Sequence, residues 1–297
     1  MNTSGNTQWF FFRVGNTRKD LSVKFNILNL AKSDSLYNEG MRVLCFSQIS
    51  RDGEEQLSWH RVGRDISYYQ NNFKREFTRY QRNYYTLTFT HTFTHDNDQV
   101  YFAHCYPYTY SDLCDDLSKI ERDRFSQNFV NRSTLTRTLA GNRCEYITIT
   151  SKDKDPNSEK AKAKKGVFIS SRVHPGESNA SWMMKGVIEF LVSNTAEAQA
   201  LRENFVFKIV PMVNPDGVVA GNYRTSFIGK DLNRLYLQGD ESEFKYNNME
   251  DILKPEISAM KQLVKDCKQD ESKGILAFID VHHHSQKRGA FMYGPSY

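Results

Sequence analysis

The chain has 297 residues, 39% of them hydrophobic, which is enough to bury a sizeable core and rules out disorder throughout. Forty basic against 35 acidic residues leave a net charge of +5, an excess that suits an acidic partner but falls short of a nucleic-acid-binding signature. No apolar run approaches the roughly 20 residues of a membrane span, and the start lacks a signal-peptide core. Five scattered cysteines without a CxxC pair predict no disulfide framework and no thiolate metal site, so the expectation is a cytoplasmic protein without a membrane or nucleic-acid partner.

The first half is rich in aromatic and β-branched residues. Short runs at Phe10 to Val14, Ser22 to Leu28, Val43 to Ile49 and Val100 to Ala103 are separated by Gly, Asn and Asp clusters, which predicts an antiparallel β-sandwich. The run Tyr85 to His95 alternates apolar or aromatic residues with threonine and predicts a strand with one wet face. Ser111 to Phe125 spaces Leu113, Leu117 and Ile120 as a helix does, and closes a first domain over residues 1–125. The charged segment Lys152 to Lys165 predicts an exposed loop.

Over residues 126–297 strands alternate with helices: strand Gly166 to Val173, helix Ser181 to Ser193, strand Phe205 to Val213, helix Leu253 to Cys267 and strand Ile275 to Val281. That order predicts an α/β domain with a mixed, mostly parallel sheet covered by helices. Its active groups should collect beyond the carboxyl ends of the strands.

Three strand ends carry chemistry. The first runs into His174-Pro175-Gly176-Glu177, a turn that can aim an imidazole and a carboxylate to one side. For an isolated HxxE the plainer reading is a histidine bonded at a strand end and a glutamate capping the next helix. The last strand ends on His282, however, and two residues plus a distant histidine with one open position is the ligand pattern of catalytic zinc. Asp280, two residues earlier, lies on the same face of that strand and is a candidate to orient the ligand. The middle strand leads to Arg224, suited to stabilising a developing oxyanion, and to Asn233 and Arg234, whose amide and guanidinium suit a carboxylate.

At these residues the sequence resembles the zinc carboxypeptidases, and among them the cytosolic carboxypeptidases that remove glutamates from tubulin tails. SSRVHPGESNASWMMKGVIEFL, FKIVPMVNPDGVVAGNYR, DLNR and HHHSQKRGAFMYG look like that subfamily in order and spacing, and WFFFRV, YNEGM, WHRVG and VYFAHCYPYTYS look like its preceding β-sandwich domain. The resemblance implies one zinc ion bound by His174, Glu177 and His282, a carbonyl polarised by Arg224, and a terminal carboxylate held by Asn233 and Arg234. It implies partners among polyglutamylated tubulin and other acidic tails, with a cytoskeletal or ciliary setting. His283 and Gln286 stand where relatives commonly have Gly and Arg.

The resemblance also implies a general-base glutamate downstream of the third ligand, and the 15 residues after His282 contain no Asp or Glu. The expectation is a carboxy-terminal truncation of a metallocarboxypeptidase. The alternative is an inactive module that binds or regulates tubulin tails. A zinc-dependent deacylase of small acylated amino acids is a third reading.

Overall fold

The computed structural model describes residues 3, 5–49, 58–75, 82–153, 155, 158–236, 253–269 and 274–294. Two compact units emerge: Pro107–His282 joined by the first few residues, and Thr7–Tyr106 continued by the segment from His283.

The Thr7–Tyr106 unit holds two antiparallel sheets. One has the order β1 (Phe11–Val14), β7 (Val100–Ala103), β3 (Val43–Ser47), β4 (His60–Val62). The other has β2 (Ser22–Leu30), β6 (Asn83–Thr92), β5 (Arg64–Lys74). Their inner faces share one core in which Val43 and Phe102 from the first sheet meet Leu87 and Phe89 from the second, as expected of a sandwich. The threonine face of β6 is not wet: Thr86, Thr88 and Thr90 are buried. As the central strand, β6 has its threonines covered by neighbours, with Thr88 donating to Asn26 (2.7 Å) and Asn71 donating to Thr86 (2.9 Å). Alternation in sequence marks two faces and cannot say that both are covered.

The segment after His282 joins this unit through Lys32, which reaches Ser285 (2.8 Å), and Arg288, which reaches the Glu39 carboxylate (3.0 Å). Helix α1 (Tyr110–Arg122) goes instead with Pro107–His282. It begins with a reciprocal cap between Thr109 and Asp112, and its Leu113 and Leu117 enter the core of that unit. The units therefore divide near residue 106 and again at 282, where the sequence placed one boundary at 125.

The Pro107–His282 unit is built on a five-stranded sheet, β12 (Ile275–Val281), β10 (Lys165–Ser171), β11 (Phe205–Val210), β9 (Arg143–Ile149), β8 (Val130–Arg137). The three strands predicted from the alternating pattern are parallel; β9 and β8 form an antiparallel hairpin added at one side. Successive residues of β9 face opposite layers. Ile147 and Ile149 pack with Met184, Ile188 and Leu191 of α3 (Ser178–Val192) and with α1, while Cys144 and Tyr146 pack with Ile257 and Met260 of α6 (Pro255–Gln269). Each of those buried aliphatic side chains contributes about 1.5–3 kcal/mol, so the sheet is clamped from both sides at β9, whereas Leu276, Phe278 and Ile279 of β12 are exposed.

Short helices α4 (Ala196–Asn204) and α5 (Pro215–Ala220) frame β11. The charged segment contains a further helical turn, α2 (Glu159–Ala163), and ends on a buried Lys164 paired with Asp153 (2.7 Å); residues 154, 156 and 157 lie outside the described ones. A lysine stem can be buried where its ammonium finds a carboxylate, which composition alone does not reveal.

Candidate metal centre

Beyond Ser171 the chain must turn sharply into α3. Arg172 makes that turn at φ 57°, a region in which a non-glycine residue is strained. Its own buried guanidinium holds the turn, donating to Pro175 O (2.7 Å), Tyr108 O (3.1 Å) and Ser181 Oγ (2.7 Å).

The loops then lock together through two glycines. The backbone N–H of Gly176 donates to Tyr223 O at 2.7 Å, and a Cβ at Gly176 would collide with the Tyr223 ring and backbone. A Cβ at Gly217 would strike Pro175 and Asn214. Glycine is needed at both positions because of close approach, with no call on an unusual φ. Asn214, fully buried, accepts from Gly217 N (3.0 Å) at the start of α5 and donates to Val173 O (3.2 Å), so the end of β11 is tied to the end of β10. Asp216 is buried too, and takes N–H groups from Ala140 and Asn142 at 2.8 Å each, anchoring α5 to the β8–β9 turn.

On this frame His174 and Glu177 are both buried, and His282 is partly so. Glu177 sits at the N-cap position of α3 but makes no capping hydrogen bond with its side chain. Its carboxylate lies between two imidazoles, Oε1 at 2.9 Å from His174 Nδ1 and Oε2 at 3.0 Å from His282 Nδ1. One ligand atom from each of the three residues lies within 4.8 Å of the others. The sequence-predicted trio is thus brought together, and the plainer reading of Glu177 as a helix cap does not hold.

The opposite ring nitrogens are also held. His174 Nε2 faces Asp231 Oδ1 (3.2 Å), and His282 Nε2 faces Asp280 Oδ2 (2.7 Å), whose other oxygen accepts from Ser170 (2.7 Å). A carboxylate on Nε2–H fixes the tautomer whose Nδ1 lone pair faces inward, the arrangement that supports histidine ligands of a metal. Asp231 also takes Arg224 Nε on Oδ2 at 2.7 Å and accepts from Asn233 N at the start of the 3-10 turn Leu232–Arg234.

Without a cation these groups titrate abnormally. Burial lowers the basicity of His282, but the Asp280 and Glu177 carboxylates outweigh it and push its pKa up to about 10. His174 is likewise raised, against the cost of burial, by Asp231 and Glu177. Asp231 is held down at about 2, again against burial, by His174 and Arg224.

Three carboxylates and one guanidinium leave a formal charge of −2 once the imidazoles are neutral, so a divalent cation would complete the site. The donor set fits zinc: two imidazole nitrogens and a carboxylate, with neighbouring pairs at 2.9 and 3.0 Å. A tetrahedron with bonds of about 2.1 Å separates neighbouring ligands by about 3.4 Å, so small adjustments suffice.

Of the other predicted residues, Arg224 stands one side chain away from His174, linked through Asp231. Asn233 and Arg234 follow on the 3-10 turn; Arg234 is exposed, and its guanidinium donates to Asn233 O at 3.2 Å. Sequence reasoning left Asp231 and Arg172 without roles. The DLNR stretch was a signal for the first, as an acid beside residues already assigned to the site. Arg172 had none, because its partners are backbone carbonyls and a serine gathered by the fold.

Residues 121–296 match the family model described as zinc carboxypeptidase. The chain is 44% identical to cytosolic carboxypeptidase 2 of Xenopus tropicalis over 98% of its own length and 28% of that protein's. It is 44% identical to the Homo sapiens protein of that name (98% and 30%) and 41% identical to cytosolic carboxypeptidase 1 of Xenopus laevis (100% and 24%). It therefore spans less than a third of the length of these relatives. Among solved structures, a metallo-carboxypeptidase from Burkholderia cenocepacia superposes with a TM-score of 0.69 at 23% identity, covering 96% of this chain and 64% of that one. One from Pseudomonas aeruginosa gives 0.66 at 22%, covering 95% and 62%. At these identities the likeness is one of fold.

Proposed function

The chain belongs to the zinc carboxypeptidase family, and on that premise we propose that it is part of a metallocarboxypeptidase that removes carboxyl-terminal glutamates from acidic protein tails, polyglutamylated tubulin among them. The observation that carries this reading is the convergence of His174 Nδ1, His282 Nδ1 and the Glu177 carboxylate, with Arg224 bound to the same Asp231 that holds His174.

His174, Glu177 and His282 would hold the zinc. When bound, zinc supplies Lewis acidity, polarising a carbonyl and acidifying water. Arg224, its guanidinium steered by Asp231, donates to the scissile carbonyl oxygen as negative charge develops there. Asn233 and Arg234 take the terminal carboxylate, Arg234 from its exposed position on the 3-10 turn. The excess of positive charge on the chain suits an acidic tail. The relatives' name places them in the cytosol, and no described helix is long and apolar enough to cross a membrane. A cytoplasmic setting beside tubulin or in cilia completes the proposal.

Two measurements test it. Purified protein should carry about one zinc per chain and lose it on replacing His174→Ala with Glu177→Gln; unchanged metal content would sink the site. The full-length natural protein should release glutamate from a peptide ending in free glutamates and spare the same peptide with an amidated terminus. Equal cleavage of both would point to a deacylase or endopeptidase, since Asn233 and Arg234 would have nothing to anchor.

A further inference from the structure

A second site lies in the Thr7–Tyr106 unit. At one end of the three-stranded sheet opens a groove of about 850 Å3, within the roughly 300–1,000 Å3 of ligand pockets. Lys32, Lys74, Arg75 and Arg82 line it, together with His284 and Gln286, and among the described residues no Asp or Glu lines it.

The fold sets these cations in place. Across the sheet Leu30 pairs with Tyr85 and Tyr85 with Gln70, and two residues along β6 Asn83 pairs with Lys74. Lys32 follows the end of β2, while Arg75 and Arg82 continue past the Lys74–Asn83 pair, their main chains still bonded at 2.8 Å. The floor is rigid: Arg75 donates to Ala31 O (3.0 Å), and Tyr85 stacks on Tyr68 with ring centroids 5.6 Å apart. Lys32 binds Ser285, and His284 Nδ1 accepts the N–H groups of Gln286 (3.2 Å) and Lys287 (3.0 Å), which shapes the far wall. Lys74 and Arg82 are the exposed cations.

We infer that this groove binds an extended acidic polypeptide, a run of glutamates, through residues other than those that hold the metal. The Gln70–Tyr85 and Lys74–Asn83 pairs are two residues apart along β6 and four along β5, where the register shifts, so Lys74 and Arg75 stand at the irregular end of the sheet. Four cations along one groove suit several carboxylates better than a single small anion, and arginine forks and amide donors are the groups that pair with carboxylates. A nucleic-acid strand would call for aromatic faces to stack upon, and Tyr85 is already stacked inside the module. The inference extends the proposed function, since the occupant is the same class of tail. A second hold in the same chain raises the local concentration of tail and selects long acidic segments over single glutamates.

The test uses a fluorescent decaglutamate peptide with an amidated carboxyl terminus, which gives Asn233 and Arg234 no carboxylate to anchor. Anisotropy should show binding that weakens as salt rises. The pair Lys74→Glu with Arg82→Glu should weaken it about 10- to 25-fold, each reversal counting for up to about fivefold. The milder Lys74→Gln with Arg82→Gln should weaken it less, and serves if the reversed pair melts early. His174→Ala with Glu177→Gln should leave this binding unchanged while removing zinc. Wild-type affinity in the properly folded charge-reversed protein would overturn the inference, as would no binding by the wild type. Tighter binding of an oligonucleotide of equal charge would also overturn it. Loss of zinc or hydrolysis with peptide binding intact would count only against the proposed function.

Discussion

Replacing Asp231 by Asn isolates one carboxylate as the support of a ligand. Three groups donate to Asp231: His174 Nε2 (3.2 Å) and Asn233 N (3.0 Å) share Oδ1, and Arg224 Nε takes Oδ2 at 2.7 Å. Asparagine keeps the shape but has a single acceptor oxygen, so its NH2 must face either Arg224 or the His174 and Asn233 donors. One charge-assisted hydrogen bond is lost, about 1.5–3 kcal/mol. In either orientation the His174 ring no longer has an anionic partner to hold its tautomer and strengthen its Nδ1 as a donor. Zinc affinity should then fall roughly 10- to 100-fold, about 1.4 to 2.7 kcal/mol. The assay is competitive zinc titration against a chromophoric chelator at pH 7.5, with near-ultraviolet circular dichroism to confirm the fold. Wild-type zinc affinity in a folded Asp231→Asn protein would refute the claim that Asp231 works through His174.

Two further predictions concern stability. Arg172→Met strips a donor from the carbonyls of Pro175 and Tyr108, at roughly 1–3 kcal/mol each, so chemical denaturation should show a loss of about 3 kcal/mol; a loss under 1 kcal/mol would mean that the φ 57° turn holds itself. Glu256 is buried in the first turn of α6, and burial, with the Asp216 charge adding, raises its carboxyl from 4.5 to about 7. The folded state therefore keeps this proton longer than the unfolded chain does. Its contribution favours folding most below pH 4.5, declines by about 3 kcal/mol as pH rises to 7, and is level above that. Glu256→Gln should flatten that part of the stability profile, and an identical slope in the variant would show that another group titrates there.

The sequence by itself determined the strands and helices that bear the site. The apolar runs Phe205–Val210 and Ile275–Val281 read as parallel strands, and that signal is local; the structure buries the first but leaves Leu276, Phe278 and Ile279 of the second exposed at the edge of the sheet. It also determined where His174, Glu177 and His282 fall, since each follows a strand end, and the parallel pairing of β10 with β12 then carries two such ends to the same edge of the sheet. Local pattern could not reveal the covered threonines of β6, the buried Lys164, or the segment after His282 that joins the sandwich. Each depends on what another part of the chain places opposite. The same holds for Asp231, Arg172 and the groove of lysines and arginines, which have partners 57, 64 and 253 residues away along the chain. Which charges are shared, buried or gathered in one groove is a property of distances across the fold, and only the tertiary structure decides it.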